Sequence, residues 1–271
     1  MFLQDEELQL LLNDMIDRYG YDFTGYSEAS LKRRIEHFMI KDQITDISKL
    51  RSRIIKDADF FSHLVEEITV NVTEMLRDPP FYKTIREEVL PALATYPFIR
   101  IWHAGCSTGE EVYSMAILLK EAGILHKSRL YATDINPRVI EKARSGIFPA
   151  SQMRKYSENY IQSGGNNDFS SYYSSNYNLA KFDESLSEKM IFATHNLVAD
   201  SSFNEFQLIL CRNTLIYFNK ELQSRVLVLF DHSLDSLGFL GLGSKESLRF
   251  SGIESKFRQI VPGQKIWRKQ K

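Results

Sequence analysis

From Ile99 onward the chain repeats one pattern, a short apolar run followed by a turn and a helical stretch, and no other feature narrows the possible folds as far. Ile99 to His103, Arg129 to Thr133, Met190 to Thr194, Gln207 to Leu210 and Phe239 to Leu242 read as buried strands. Between them, Glu110 to Glu121 (ended by Gly123), Pro137 to Arg144 (ended by Gly146) and Lys220 to Leu237 (ended by Gly238) read as helices. Repeated βα units predict an α/β fold with a doubly wound, mainly parallel sheet. The ligand of such a sheet lies beyond the carboxyl ends of its strands.

The first 75 residues follow a different rule. Asp5 to Tyr19 places Leu8, Leu11, Leu12, Met15 and Ile16 at helical spacing before Gly20. A second helix, capped by Ser27 or Ser30, gathers Leu31, Ile35, Phe38 and Met39 on one face. Ile47 to Ile55 and Ala58 to Ile68 continue the pattern, so residues 1–75 are expected to form an all-helical domain, with 76–271 as the sheet domain. From Phe148 to about Asp183 the chain turns rich in Ser, Asn and Tyr, too long for a simple loop in a compact domain. A small inserted β-subdomain, about 148–188, is expected there, with Tyr172, Tyr173 and Tyr177 suited to short strands; a linker is the other reading.

Composition removes some function classes. Lys and Arg total 34 against 35 Asp and Glu, a formal net charge of -1, so no global field draws the protein to nucleic acid or an anionic membrane. No apolar run is long enough to cross a bilayer, and Met1 to Glu7 lacks a basic region ahead of an apolar one. Cys106 and Cys211 form neither a zinc pattern nor a disulfide framework, so no metal is expected. These features together suggest a cytoplasmic protein with no direct membrane insertion.

The segment most informative about chemistry runs from Ile101 through His103-Ala104-Gly105-Cys106-Ser107-Thr108-Gly109 to Glu110 and Glu111, a strand entering a small-residue turn and then a helix. It lacks the third glycine of a dinucleotide fingerprint and the Gly-Lys-Ser/Thr of a phosphate loop, and two acids open its helix. A cationic ligand suits it better than a phosphate; a plain βα turn is the alternative. Asp134 ends the next strand, where an acid commonly accepts ribose hydroxyls, or else it caps the helix opening at Pro137. His195-Asn196-Leu197 and Cys211-Arg212-Asn213 follow two further strands. Asn196 and Asn213 offer amides to a ligand or serve as turn residues. Tyr217 either presents its ring face to a cation or fills core space.

With these residues in place, Ile68-Thr69-Val70-Asn71-Val72-Thr73-Glu74-Met75-Leu76-Arg77-Asp78, the Ala104 to Ser114 turn, Asp134-Ile135, His195-Asn196-Leu197, Cys211-Arg212-Asn213 with Ile216-Tyr217-Phe218, and Gly243-Ser244-Lys245-Glu246-Ser247-Leu248 resemble the CheR family of chemotaxis receptor methyltransferases, in the family's order. The resemblance spans nearly the whole chain, including Ser30-Leu31-Lys32-Arg33-Arg34. Leu76 stands where an aromatic is common and Val112 where a proline is common; both are apolar exchanges that bear on packing.

The resemblance implies a class I methyltransferase-like fold, S-adenosylmethionine as cofactor with S-adenosylhomocysteine as product, and glutamate methyl esters on methyl-accepting chemotaxis receptors. It implies cofactor contacts at Asn71, Thr73, Arg77, Ala104, Glu111 (Glu110 as the fallback), Asp134, Asn196, Leu197, Arg212 and Asn213. Arg77 is expected to orient the acceptor carboxylate, with Tyr217 assisting. Ser27 to Lys41 carries Lys32, Arg33, Arg34 and Lys41 against Glu28 and Glu36, a local net of +2, which suits docking of acidic receptor helices or is a solvated helix face. The alternatives are a cofactor-binding module without turnover and a nucleic-acid or small-molecule methyltransferase on the same fold. A monomer is the default.

Overall fold

The computed structural model describes residues 3–69 and 71–271; Val70, within the first motif, and Met1 and Phe2 lie outside the described residues. Four helices come first: α1 (Asp5–Tyr19), α2 (Glu28–Lys41), α3 (Ile47–Lys56) and α4 (Ala58–Ile68). Their starts and stops are local. Gly20 takes the left-handed conformation (φ 73°) that ends α1, and the Asp46 and Asp57 carboxylates cap α3 and α4 by accepting the amides of Lys49 and Phe60. Ser27, not Ser30, stands at the N-cap of α2, although its hydroxyl makes no capping bond. Leu11, Met15, Ile35, Phe38, Leu50 and Leu64 bury one common core.

A helical rod follows: α5 (Pro79–Thr84), a wide π turn over Ile85–Val89 and α6 (Leu90–Leu93). Pro91 has no N–H, and its ring would meet the carbonyl four residues back, at Glu87, in a regular helix; the widening falls on that residue. The sheet half comprises β1 (Ile99–Ala104), α7 (Glu110–Glu121), β2 (Ser128–Asp134) and α8 (Pro137–Ser145), then β3 (Ile147–Pro149), α9 (Met153–Gln162), β4 (Tyr173–Asn176), β5 (Leu179–Phe182) and α10 (Glu184–Ser187). It closes with β6 (Met190–Thr194), β7 (Phe206–Cys211), α11 (Lys220–Ser233), β8 (Leu234–Leu242), β9 (Phe257–Gln259) and β10 (Ile266–Lys269).

The large sheet has the order β6-β2-β1-β7-β8-β10-β9. Its first five strands are parallel, while β10 runs antiparallel to both β8 and β9. Strand order therefore reverses at β1, between β2 and β7, which opens a crevice above the carboxyl ends of those strands. All six residues of β7 are buried, as expected for a strand covered on both faces. A second sheet, β3-β5-β4, is antiparallel. No helix among the described residues is long and apolar enough to cross a membrane.

Three expectations change. Helix α11 stops at Ser233 instead of Leu237, because Leu234 pairs with Phe206 and begins β8 across a register shift on β7; Gly238 therefore lies inside a strand. The inserted stretch also contains a helix, α9, whose Met153, Tyr156 and Tyr160 are buried. Tyr173 lies in β4, but Tyr172 ends a 3-10 turn and Tyr177 sits at an exposed turn with φ 52°.

Candidate active site

The crevice at the strand reversal is a cleft of about 970 Å³, its solvent-open mouth included. Its floor is the β1–α7 turn. Gly105 (φ 82°) passes so close to the β7 exit that a Cβ there would stand 2.4 Å from Thr214 Oγ1. Gly109 (φ 96°) is pressed against α8, where a Cβ would meet Ala143 Cβ at 2.9 Å. The turn is tied to β2: the amides of Gly105 and Cys106 donate to the Thr133 carbonyl, and Ser107 N–H donates to Asp134 Oδ2 at 2.9 Å. Buried Ser107 Oγ has no partner among the described residues, which leaves a hydroxyl in the cleft wall for a ligand.

The two acids that open α7 diverge. Glu110 points away from the cleft; burial raises its pKa, against hydrogen bonds from Thr108 and Tyr156. Glu111 lines the cleft. Burial pushes its pKa up, but the His103 Nδ1 contact at 2.9 Å and the Arg212 guanidinium at 3.6 Å outweigh it and hold the carboxyl below its ordinary value. Of the pair, Glu111 is the acid that lines the cleft and the one whose carboxyl is held below its ordinary value.

Asp134 lies on the same wall, and burial raises its pKa against the amides of Asn136 and Ser107. It does not cap α8; Asn136 does, accepting the Arg138 amide. Asn196 forms a turn and lines the cleft: its Oδ1 accepts Val198 N–H at 2.9 Å, while its NH2 group has no partner among the described residues. Leu197 lies beside it. His195 Nδ1 also lacks a partner there, and burial lowers its ring pKa, so the ring is neutral at neutral pH.

Asn213 follows β7 with φ 60°. A buried carboxylate maintains that turn. Glu246 accepts N–H groups from Gly243 (2.6 Å), Asn213 (3.0 Å) and Ile216 (3.3 Å). The motif containing Glu246 is visible in the sequence, but its task is not, since two of the three amides it satisfies, at Asn213 and Ile216, are 33 and 30 residues away. His103, read from the sequence only as the end of a strand entering the turn, meets Glu111 eight residues on.

Arg212 is buried. Its Nη2 donates to the Arg77 carbonyl (2.9 Å) and to Asp78 Oδ2 (2.7 Å), and its guanidinium lies 4.1 Å from the Phe81 ring centre. Arg77 itself reaches the cleft with one hydrogen bond among the described residues, from Nη1 to the Val72 carbonyl at 3.3 Å. Asn71 and Thr73 line the same wall, with the Asn71 NH2 turned back to the carbonyls that end α4. Tyr217 closes one side. Ala104 is the exception among the expected contacts: it is buried in the core beneath the turn and does not line the cleft.

The four basic residues of α2 do not form one free strip. Lys32 pairs with Asp5 and Glu28, Lys41 pairs with Glu67, and Arg34 turns inward over the Tyr217 ring. Arg33 is exposed and has no recorded partner among the described residues. Pairing by residues distant in sequence is invisible to a local charge count.

The donor set fits S-adenosylmethionine. The Arg212 charge is engaged by Asp78 and Glu111, so Glu111 and Asp134 with unpartnered Ser107 and Asn196 groups leave a cleft suited to a cation bearing hydroxyl and amide-recognising groups. Comparisons agree. Residues 71–264 match the family described as the CheR methyltransferase, SAM binding domain, and residues 6–69 match the CheR methyltransferase, all-alpha domain. A Pseudomonas putida relative carrying the name methyltransferase Cher3 is 49% identical, over 98% of this chain and 97% of its own. A Listeria monocytogenes protein named chemotaxis protein methyltransferase is 30% identical, over 84% of this chain and 85% of its own. A Vibrio cholerae protein, chemotaxis protein methyltransferase 1, is 28% identical over 95% of this chain and 94% of its own. The chain, with an S-adenosylmethionine-binding domain behind an all-helical one, belongs to the CheR methyltransferase family.

Proposed function

We propose that this protein methylates glutamate side chains of chemoreceptor cytoplasmic domains, giving glutamate methyl esters. One observation carries the reading: a single cleft holds an ionised acid, Glu111, and a loosely bound guanidinium, Arg77, so a cation and a carboxylate have places side by side. Glu111, Asp134, Asn196, Leu197, Arg212 and Asn213 hold the cofactor, with Asn71 and Thr73 on the opposite wall. Bound S-adenosylmethionine supplies an electrophilic methyl group on a positively charged sulfur.

The protein's own task is then placement. A glutamate side chain is ionised at neutral pH, so no general base is required. Arg77 grips one oxygen of the acceptor carboxylate and leaves the other free to attack; a grip on both would blunt the nucleophile. Its one bond among the described residues, to Val72, leaves most of its N–H donors open for that grip. The Tyr217 ring screens the acceptor from water on the side facing the helical half, and alignment with desolvation supplies the rate. Residues 1–75 dock the receptor, with Arg33 the free charge on α2, and 76–271 carry the chemistry.

A filter assay with methyl-labelled cofactor tests this against receptor cytoplasmic fragments, RNA and no acceptor. Base-labile label on the receptor fragment is the expected result. Label on RNA, or calorimetric binding of S-adenosylhomocysteine with no transfer to any acceptor, would overturn the receptor assignment.

A further inference from the structure

The loop that carries Tyr217 is held from the helical half of the molecule. Tyr26 and Phe218 form an isolated antiparallel bridge, Ser27 N–H donates to the Tyr217 carbonyl at 2.8 Å, and Asn219 N–H donates to the Gly25 carbonyl at 2.9 Å. Gly25 fits tightly there, since a Cβ would stand 2.7 Å from Leu222 Cδ2. These contacts fix the main chain of the loop. They leave the Tyr217 side chain undetermined.

Apolar packing holds the ring in part, since Tyr217 lies against the core cluster that contains Leu215 and Phe218. Its phenol oxygen has no hydrogen-bond partner and the ring no aromatic neighbour among the described residues, and the Arg34 guanidinium, 5.0 Å from the ring centre, is the one charged group set over it among those residues. The guanidinium is itself anchored at two points: Nη1 donates to the Ile68 carbonyl at the end of α4 (3.1 Å), and Nε donates to Ser30 Oγ (3.3 Å). A planar group held on two sides makes a fixed platform, so the ring beneath it is kept where it lines the cleft. Arg34 is not among the cleft's lining residues and acts only through Tyr217.

We infer that Arg34 is a positioning residue for Tyr217 in methyl transfer and not part of the receptor-docking charge of α2. The inference rests on the proposed methylation of receptor glutamates. Lysine separates the two roles. An ammonium keeps the charge that steers an acidic partner but has neither the flat face nor the two-point anchorage of guanidinium.

The test is steady-state methylation of a receptor cytoplasmic fragment by the full chain, with S-adenosylhomocysteine calorimetry and a thermal melt for each variant. Arg34→Ala and Arg34→Lys are both expected to lower kcat by roughly threefold to thirtyfold. KM for the receptor fragment and its salt dependence should stay within about twofold of wild type, since no docking charge is engaged. In a Tyr217→Ala background, Arg34→Ala should change kcat little further. Wild-type kcat in Arg34→Lys, a raised KM with a shallower salt dependence, or an undiminished Arg34→Ala effect in the Tyr217→Ala background would each overturn the inference. Arg34→Lys, which retains the charge and the stem, carries the test if Arg34→Ala does not fold. A wild-type chain that methylates no receptor fragment would instead overturn the functional reading, and this inference with it.

Discussion

Two segments face each other across the cleft, Asn71 to Asp78 before α5 and Cys211 to Phe218 after β7, and each presents an arginine. Arg212 is buried among two carboxylates, a carbonyl and two aromatic rings. Arg77 stands at the mouth with one backbone hydrogen bond. Both segments contain left-handed non-glycine residues, Leu76 (φ 53°) and Asp78 (φ 59°) on one side and Asn213 (φ 60°) on the other, and both need clamps. The clamp on the first comes from elsewhere in the fold: Ser114 Oγ accepts Leu76 N–H and Asn159 of α9 donates to the Met75 carbonyl. The same residue type is thus bound into the fold by carboxylates in one segment, with only its Nε unpartnered among the described residues, and left with most donors open in the other.

That contrast breaks most visibly if Arg212→Ala is mild. Removing it strands Glu111 in a buried site, and we expect a loss of about 3–5 kcal/mol in urea unfolding, with cofactor binding lost as well. Arg77→Ala should do the opposite. Its stability should stay within about 0.5 kcal/mol of wild type, while methyl transfer falls about a hundredfold, far more than S-adenosylhomocysteine affinity measured by calorimetry. Equal losses of transfer and affinity would reassign Arg77 to the cofactor alone.

Smaller effects sharpen the same picture. Glu246→Gln keeps the shape but turns one accepting oxygen into an NH2 donor, so at least one of the three amides loses its acceptor, about 1–3 kcal/mol of stability should go, and cofactor affinity should fall because the Asn213 turn loosens. The acid limb of cofactor binding should belong to Asp134. Burial raises its pKa, whereas His103 and Arg212 hold the Glu111 carboxyl below its ordinary value against its own burial. The sign for stability is the reverse: a raised group contributes fully below its unfolded value, and the contribution is lost as pH rises through the folded one. Calorimetry across pH should show affinity falling toward acid in wild type and a flatter profile in Asp134→Asn. Smallest of all, Arg33→Ala should raise KM for a receptor fragment by a few-fold, an effect that vanishes at high salt, as befits an exposed charge.

Much of this cleft was legible beforehand. Amphipathic spacing located α1 to α4 within a residue or two, because one buried stripe per helix is written every third or fourth position. The strand, small-residue turn and acidic helix start of Ile101 to Glu111 suited a cationic ligand or a plain βα turn, and of the contacts that the family resemblance implied, Ala104 and the fallback Glu110 lie away from the cleft. What local reading could not reach were partners distant in sequence. Leu234 to Leu237 continued a helical pattern, yet β7 recruits that stretch as strand. Helix α9 was hidden by a polar, Ser- and Asn-rich composition, and the antiparallel β9 and β10 by their shortness.

The chain by itself determined its periodicities, its turns and the inventory of acids, amides and arginines near one crevice, because those depend on neighbours within a few residues. Only the tertiary structure decided which of two adjacent glutamates lines the cleft, which arginine is paired with carboxylates, and that Arg34 turns inward to Tyr217. Burial and the pairing of charges are set by groups that meet only after the chain has folded.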